Sequence, residues 1–377
     1  MILLFILLAT LYFIIMIYFL IGIYRIPMVS AAPTSSVLQV TILVPARNEE
    51  ENIIRCLESL WRQSYPRNGF KVIIIDDHSS DKTAELVEIY IRDKPNFELL
   101  RHKKDPVRST FKKQALTFAL EKVDSDIVMT IDADSVALPN WIERILSYYD
   151  SNTGMVAGLV SFISEGEQGF FQKIQTLEFA GIVFCGVGAA GHKNPLICNG
   201  SNLSYRLQTF REVGGYRGNE FLPSGDDDLL LQNIHNKTAW KIKYSLDPET
   251  INYTMPVTRF SDFINQRARW ASKSLHYPKW WLFLVLLGIY LYYASFVILL
   301  PMVLLDLFPW YIYMLGLVLK MVPEALIISR ALSILQRSHL RKYFLIAQPF
   351  QIIYVLIVGF LGFFKKFNWK DLDSNVV

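Results

Sequence analysis

Residues 1–24 contain no charged side chain, and Arg25 is the first charge in the chain. About 20 apolar residues span a bilayer core, so this run is long enough to cross a membrane. A cleaved signal peptide is the competing reading, because Ser30-Ala31-Ala32 offers a small-residue cleavage site. No positive segment precedes the run, and it is longer than a signal-peptide core, so we read it as an uncleaved anchor. Three further apolar segments, about 280–305, 309–329 and 343–364, close the chain. Apolar residues make up 52% of the sequence and aromatic residues 14% because the excess is concentrated at these two ends.

Basic residues border the apolar segments, and loops rich in Lys and Arg stay on the cytoplasmic side. Arg25 and the cluster Arg267, Arg269, Lys273 and Lys279 therefore place the middle of the chain in the cytoplasm and the N-terminus outside. The basic loop Arg337, His339, Arg341 and Lys342 is also expected inside, with the two segments before it forming a hairpin. The last segment would then end outside, whereas Lys365, Lys366 and Lys370 favour inside. One re-entrant or interfacial C-terminal segment reconciles the two. A net charge of +4, with no massed basic block, argues against a nucleic-acid partner. Cys56, Cys185 and Cys198 have no metal-binding or disulfide spacing. Lys320 and Glu324 interrupt the third apolar segment four residues apart, on one helical face. Mutual pairing and a functional role both explain them.

The polar middle alternates strands with helices. Gln39–Val44 is an apolar strand stopped by Pro45, and Asn48 opens a helix that runs to about Gln63. Lys71–Ile75 is a second strand ending at Asp76-Asp77, and Ser80-Asp81-Lys82-Thr83 can cap the next helix. Phe97–Leu100 is a short third strand, Phe111–Lys122 a helix, and Ile127–Ile131 a fourth strand ending at Asp132. This alternation implies an α/β fold with a mainly parallel sheet. Ligands of such sheets bind at the carboxyl ends of the strands, where both acidic clusters fall. Residues 155–195 mix Glu165, Gln168, Gln172, Gln175 and Glu178 with aromatic and small residues. That segment reads either as an amphipathic interface helix or as ordinary packing against the sheet.

Four clusters carry chemistry. Asp132-Ala133-Asp134 follows a strand, and its two carboxylates can share one hard divalent cation, Mg²⁺ or Mn²⁺. A solvated turn is the bland alternative. Asp76 and Asp77 can accept hydrogen bonds from a base and a ribose, while Ser80 or Asp81 serves as the helix cap; His78 reads as a loop histidine, not a ligand. Gly225-Asp226-Asp227-Asp228 leads into an apolar helix. Three adjacent carboxylates repel one another, which suits a general base. Asp227 is the expected base and Asp226 the close alternative, although helix-dipole stabilisation accounts for one or two of the three. Gln266, Arg269 and Trp270 share a helical face. Arg269 can grip a diphosphate and Trp270 can floor a sugar site, or both can simply anchor an interfacial helix.

In this order the clusters resemble the membrane-bound, processive-type family 2 glycosyltransferases, a group that includes cellulose, chitin and hyaluronan synthases and ceramide glucosyltransferases. The resemblance covers roughly residues 38–275. Val44-Pro45-Ala46-Arg47-Asn48-Glu49 resembles the opening nucleotide-contacting strand, Asp76–Asp81 the family's Asp-Asp-x-Ser-x-Asp, and Asp132-Ala133-Asp134 its metal motif. Cys198-Asn199-Gly200-Ser201-Asn202 resembles the acceptor-lining segment, Gly225-Asp226-Asp227 the base segment, and Gln266-x-x-Arg269-Trp270 the closing motif. Phe111-Lys112-Lys113-Gln114 departs from the family's Gly-Lys, although Lys112 can still reach the donor.

The resemblance implies a GT-A fold and inversion by direct displacement. It assigns Pro45, Ala46, Asn48, Glu49, Asp76, Asp77, Lys112, Asp132, Gln266 and Arg269 to the donor, and Asn199, Gly200, Ser201 and Trp270 to the acceptor. Asp134, with Asp132, would hold the metal. The expected domains are a transmembrane helix at 1–25, a GT-A domain at 38–257, an interfacial segment at 258–279, membrane helices at 280–364 and a polar tail at 365–377. The implied partners are a nucleotide sugar, UDP-linked, a lipid or glycan acceptor, and membrane lipids. An accessory subunit is compatible with this. The implied location is the plasma (inner) membrane with the catalytic domain in the cytoplasm. Three C-terminal segments are few for a one-chain channel, which favours a lipid or short glycan over an extruded polysaccharide. A non-catalytic nucleotide-sugar-binding membrane protein would be expected to lose its acidic motifs, and here all are present.

Overall fold

The computed structural model describes residues 1–28, 38–102, 112–164, 169–218, 225–272 and 280–364. Helix α1 (Ile2–Arg25) comes first, followed by β1 (Val40–Ala46), α2 (Ile53–Trp61), β2 (Phe70–Asp76), α3 (Thr83–Ile91) and β3 (Phe97–Arg101). Next come α4 (Lys112–Leu120), β4 (Ile127–Thr130), α5 (Trp141–Leu146), β5 (Thr153–Ala157), β6 (Val160–Phe162) and α6 (Phe170–Gly191). They lead into β7 (Leu203–Arg206), α7 (Leu207–Glu212), α8 (Asp228–Lys237), β8 (Lys241–Tyr244) and β9 (Asn252–Thr254). Four helices close the chain: α9 (Phe260–Ser272), α10 (Trp280–Leu304), α11 (Trp310–Ile334) and α12 (Phe344–Phe363). The chain divides into two compact units, one of Ile26–Gly166 and His192–Met255, the other of Met1–Arg25, Glu167–Gly191 and Pro256–Val377.

The first unit is built on a sheet of order β3-β2-β1-β4-β7-β5-β8. Strands β1 to β4 run parallel, and the apolar runs of β1, β2 and β4 are buried on both faces, as strands covered by helices on two sides require. Ile42, Val44, Val72, Ile74 and Met129 pack with Ile53, Leu57 and Trp141 into one core. This is the mainly parallel α/β sheet expected from the strand–helix alternation. From β1 the chain steps to β2 on one side, while β4 lies on the other. That reversal opens a crevice at the carboxyl ends of β1 and β4. Strand β7 is antiparallel to both β4 and β5, with Leu203 opposite Thr130. Its first residue therefore lies at the edge where β4 ends, which brings the segment 198–202 beside Asp132. The expected helix start at Asn48 is displaced: Asn48 has φ 51° and α2 begins at Ile53. Asn tolerates the left-handed conformation, and here it turns the chain out of β1 before the helix can begin.

In the second unit, five helices among the described residues are long and apolar enough to cross a membrane: α1, α6, α10, α11 and α12. Large apolar side chains such as Leu3, Leu284, Leu304, Leu345 and Phe360 are exposed on them. Gln175, Glu178, Lys320, Glu324 and Gln348 are buried instead, an arrangement suited to lipid. Helix α6 adds to the four apolar segments read from the sequence. Its polar positions are not a water-facing stripe: Gln175 and Glu178 are buried, and Gln175 Nε2 donates to the Val257 carbonyl at 2.8 Å. Lys320 and Glu324 do share a face, 3.0 Å apart. Lys320 also donates to Gln348 and, at 2.9 Å, to Gln351, while Glu324 accepts from Tyr12 and from Tyr293 at 3.1 Å. The pair thus ties α1, α10, α11 and α12 together. Ser30–Ala32, Lys103, Lys104, Phe111, Glu165, Gln168, Lys273, Lys279 and the 365–377 tail lie outside the described residues.

Candidate functional site

The carboxyl edge of the sheet gathers several of the expected side chains. Lys112, the first residue of α4, places its Nζ 2.6 Å from Asp132 Oδ1 and 2.8 Å from Asp226 Oδ2. Burial opposes the charge on Lys112, but the two carboxylates outweigh it and raise its pKa. The ammonium therefore bridges the Asp-x-Asp motif and the triple-Asp segment, which lie 94 positions apart in sequence.

The three consecutive acids have separate partners. Asp227 caps α8 by accepting from Asp228 N at 2.7 Å, and its other oxygen accepts from Gly200 N at 3.2 Å. Asp228 is fully buried and accepts from Cys198 N at 2.8 Å. Asp226 is the member that reaches Lys112. Gly200 packs against this arrangement so closely that a Cβ there would lie 2.8 Å from Asp226 Oδ2 and 3.1 Å from Lys112 Nζ. Its carbonyl accepts from Thr130 Oγ1 at 2.6 Å, and Asn199 Oδ1 accepts from Ser201 N at 2.9 Å. Ser201 Oγ donates to Ser135 Oγ at 2.7 Å, and Ser135 Oγ donates in turn to Asp134 Oδ1 at 3.1 Å. The segment 199–201 and Asp132–Asp134 are thus one hydrogen-bonded assembly. Asp132 and Asp134 offer only carboxylate oxygens, the hard donor set that suits Mg²⁺ or Mn²⁺. A lysine ammonium already lies against Asp132, so this edge accommodates positive charge.

A second cluster forms at the end of β2. Asp76 Oδ1 accepts from Ser79 N at 3.3 Å. Asp77 is buried, and its Oδ1 lies 3.2 Å from His78 Nδ1 and 3.1 Å from His102 Nδ1. The three side chains bring ligand-type atoms within 4.8 Å of one another. The separations to Asp77 are hydrogen-bond lengths, so the two imidazoles hold the carboxylate in place. Sequence reasoning missed His102. It lies just past β3 and meets Asp77 only because β2 and β3 are paired neighbours, and no local pattern signals that contact. Asn48 and Glu49 brace the loops after β1 and β2 against each other. Asn48 Oδ1 accepts from Ser80 N at 2.8 Å, and Glu49 N donates to Thr83 Oγ1 at 2.8 Å. Pro45 and Ala46 end β1 beside Ile75 and Asp76.

Gln266, Arg269 and Trp270 belong to α9, in the other compact unit. There the Arg267 guanidinium lies 4.2 Å from the Trp270 ring centroid, and its Nη1 donates to Gln266 Oε1.

Residues 41–214 match the family model described as glycosyl transferase family 2. That stretch, 41–214, is a family 2 glycosyltransferase domain. The chain is 27% identical over 255 residues to a beta-monoglucosyldiacylglycerol synthase from Synechocystis sp., covering 64% of this chain and 50% of that protein. It is 25% identical over 206 residues to a hyaluronan synthase from Streptococcus pyogenes, covering 52% and 48%. The chain thus spans about half the length of these curated relatives. A mannosyltransferase from Pyrobaculum calidifontis, solved with GDP-Man and Mn²⁺, superposes with a TM-score of 0.55 at 16% identity, covering 96% of this chain and 99% of that one. That likeness establishes the fold, the GT-A arrangement expected of the family.

Proposed function

We propose that this membrane protein is an inverting glycosyltransferase that moves a sugar from a nucleotide donor, UDP-linked, to a lipid or glycan acceptor. The observation that carries the reading is Lys112 bridging Asp132 and Asp226. One carboxylate of the metal motif and one of the base segment share a single cation, so a donor diphosphate and an acceptor hydroxyl bound at these two groups would be neighbours. Asp226 is the better-placed base. Asp227 already accepts two backbone N–H bonds, whereas Asp226 meets Lys112, whose ammonium can turn to an arriving diphosphate. Asp226 then takes the acceptor hydroxyl proton as the acceptor oxygen bonds to the anomeric carbon. The bond from that carbon to the diphosphate breaks on the opposite face. Asp132 and Asp134 would hold a divalent cation, which when bound offsets the charge of the leaving diphosphate. Asp76 and Asp77 serve the nucleoside, with Asp77 held by His78 and His102. Pro45, Ala46, Asn48 and Glu49 shape the loop beside them. Asn199, Gly200 and Ser201 line the acceptor side, and the family resemblance gives Gln266 and Arg269 to the donor and Trp270 to the acceptor.

The same reading puts the catalytic unit on the cytoplasmic face of the plasma membrane, following the basic residues that flank the apolar helices. Synthesis of an extended polysaccharide is the second reading, favoured by the hyaluronan synthase relative.

Kinetics of Asp226→Asn and Asp227→Asn test the assignment. General-base loss costs about 10²–10⁴-fold in turnover, expected for Asp226→Asn. Asp227→Asn keeps an acceptor oxygen and should lose far less. A larger loss in Asp227→Asn would return the base to that residue.

A further inference from the structure

Among the residues of Gln266-Arg267-Ala268-Arg269-Trp270, the one most fully engaged is Arg267. It is 3% exposed and forms a forked pair with Glu178 of α6. Its Nε lies 3.0 and 3.1 Å from the two carboxylate oxygens, and its Nη2 lies 2.6 Å from Oε2. Tyr354 of α12 donates its hydroxyl to Glu178 Oε1 at 2.9 Å. The remaining nitrogen, Nη1, holds the Gln266 side-chain oxygen. The guanidinium carbon lies over the Trp270 ring, 4.2 Å from its centroid, and over the Phe263 ring at 4.7 Å, both cation–π contacts. Arg269 is two residues on and so projects to the opposite side of α9.

A buried ion pair is a poor source of stability, because desolvation of both charges offsets their attraction. What a fork-to-fork arginine supplies is geometry. This one fixes the direction of two motif side chains at once, one by a hydrogen bond and one by a cation–π contact.

We propose that Arg267 is a positioning residue for sugar transfer. Glu178 and Tyr354 hold its guanidinium, and Arg267 in turn sets Trp270 and Gln266 in the orientation that transfer requires. The assignment rests on the glycosyltransferase reading given above. It places the control of the Gln-x-x-Arg-Trp helix in α6 and α12, elements remote in sequence from the motif.

A double-mutant cycle between Arg267→Lys and Trp270→Ala tests it, with kcat and donor KM measured on the full-length protein in detergent. Arg267→Lys keeps the charge and loses the fork. It should lower kcat about tenfold, an effect confined to the turnover step, and leave donor KM within about twofold. In the Trp270→Ala background the same change should have a clearly smaller effect, the part that falls on Gln266, since residues acting as a unit are non-additive. Tyr354→Phe removes one hydroxyl from the edge of the network and should give a smaller kcat loss of the same kind. It decides the matter if Arg267→Lys does not fold. Losses that add, or a Tyr354→Phe enzyme with unchanged kcat, would overturn the positioning role while the wild-type enzyme still transfers sugar. A wild-type protein silent with every nucleotide sugar would instead remove the functional reading, and this role with it.

Discussion

Gly200→Ala separates the geometry of the site from the stability of the fold. The added Cβ would lie 2.8 Å from Asp226 Oδ2 and 3.1 Å from Lys112 Nζ, against an ordinary contact of about 3.4 Å or more. Asp226 must therefore give way by about 0.6 Å, the shortfall from that contact. Both atoms end flexible side chains, and Gly200 is not among the positive-φ glycines, so the backbone tolerates alanine. The stability cost should stay below about 1 kcal/mol. The catalytic cost should be much larger, because a misplacement of about 1 Å is worth on the order of 10²-fold in rate. A shift somewhat over half that size should lower kcat about tenfold, or ~1.4 kcal/mol in activation free energy. Nucleotide release with acceptor present, measured beside the melting temperature of the same preparation, reads both. Wild-type turnover at wild-type stability would refute the reasoning that Asp226 must occupy its observed position.

Gly158→Ala should behave in the opposite way. Its Cβ would fall 2.4 Å from the Asn202 side chain, which is buried and fixed by bonds to Trp141, Leu159 and Thr250. Nothing there can yield, so a loss of about 2–3 kcal/mol is expected in denaturant unfolding, and an unchanged midpoint would contradict it. The Lys112 bridge carries a pH signature. Its pKa is raised in the folded protein, so its stabilisation is complete below the ordinary lysine value of about 10.4 and fades only as pH rises through the folded value. The stability gap between wild type and Lys112→Met should stay flat from about pH 7 to 10 and narrow above that; narrowing below about pH 9 would be inconsistent with the pair. Lys320→Met strands Glu324 among apolar helices and should cost about 3 kcal/mol in detergent denaturation. Lys320→Met with Glu324→Gln should recover most of it, and a double variant as unstable as the single would show that the pair is not the source.

Much of the sheet is readable from residues close in sequence. Val40–Val44, Val72–Ile75 and Ile127–Ile131 are largely apolar runs ended by Pro45, Asp76 and Asp132, and a short apolar run with a chain-turning end marks each as a strand. The antiparallel insertion of β7 is not readable in this way. Four residues carry little pattern, and their place follows from pairing with both β4 and β5. Helix α6 illustrates a different limit. Its Gln175 and Glu178 look like a water-facing stripe until their partners, the Val257 carbonyl and Arg267, arrive from 82 and 89 residues further along. The same holds at the site. The acidic clusters are visible as strand ends, but which of Asp226, Asp227 and Asp228 faces the reaction depends on where Gly200, Cys198 and Lys112 come to rest. Likewise His102 has meaning only beside Asp77.

The most direct test of the whole account is nucleotide release by the purified protein, with UDP- and GDP-sugars supplied in turn with Mg²⁺ or Mn²⁺, beside Asp134→Ala. Metal-dependent release from one donor is expected, raised by membrane lipid or glycan acceptor and absent in the variant. Release that persists in Asp134→Ala, or no release from any donor with acceptor present, would contradict it.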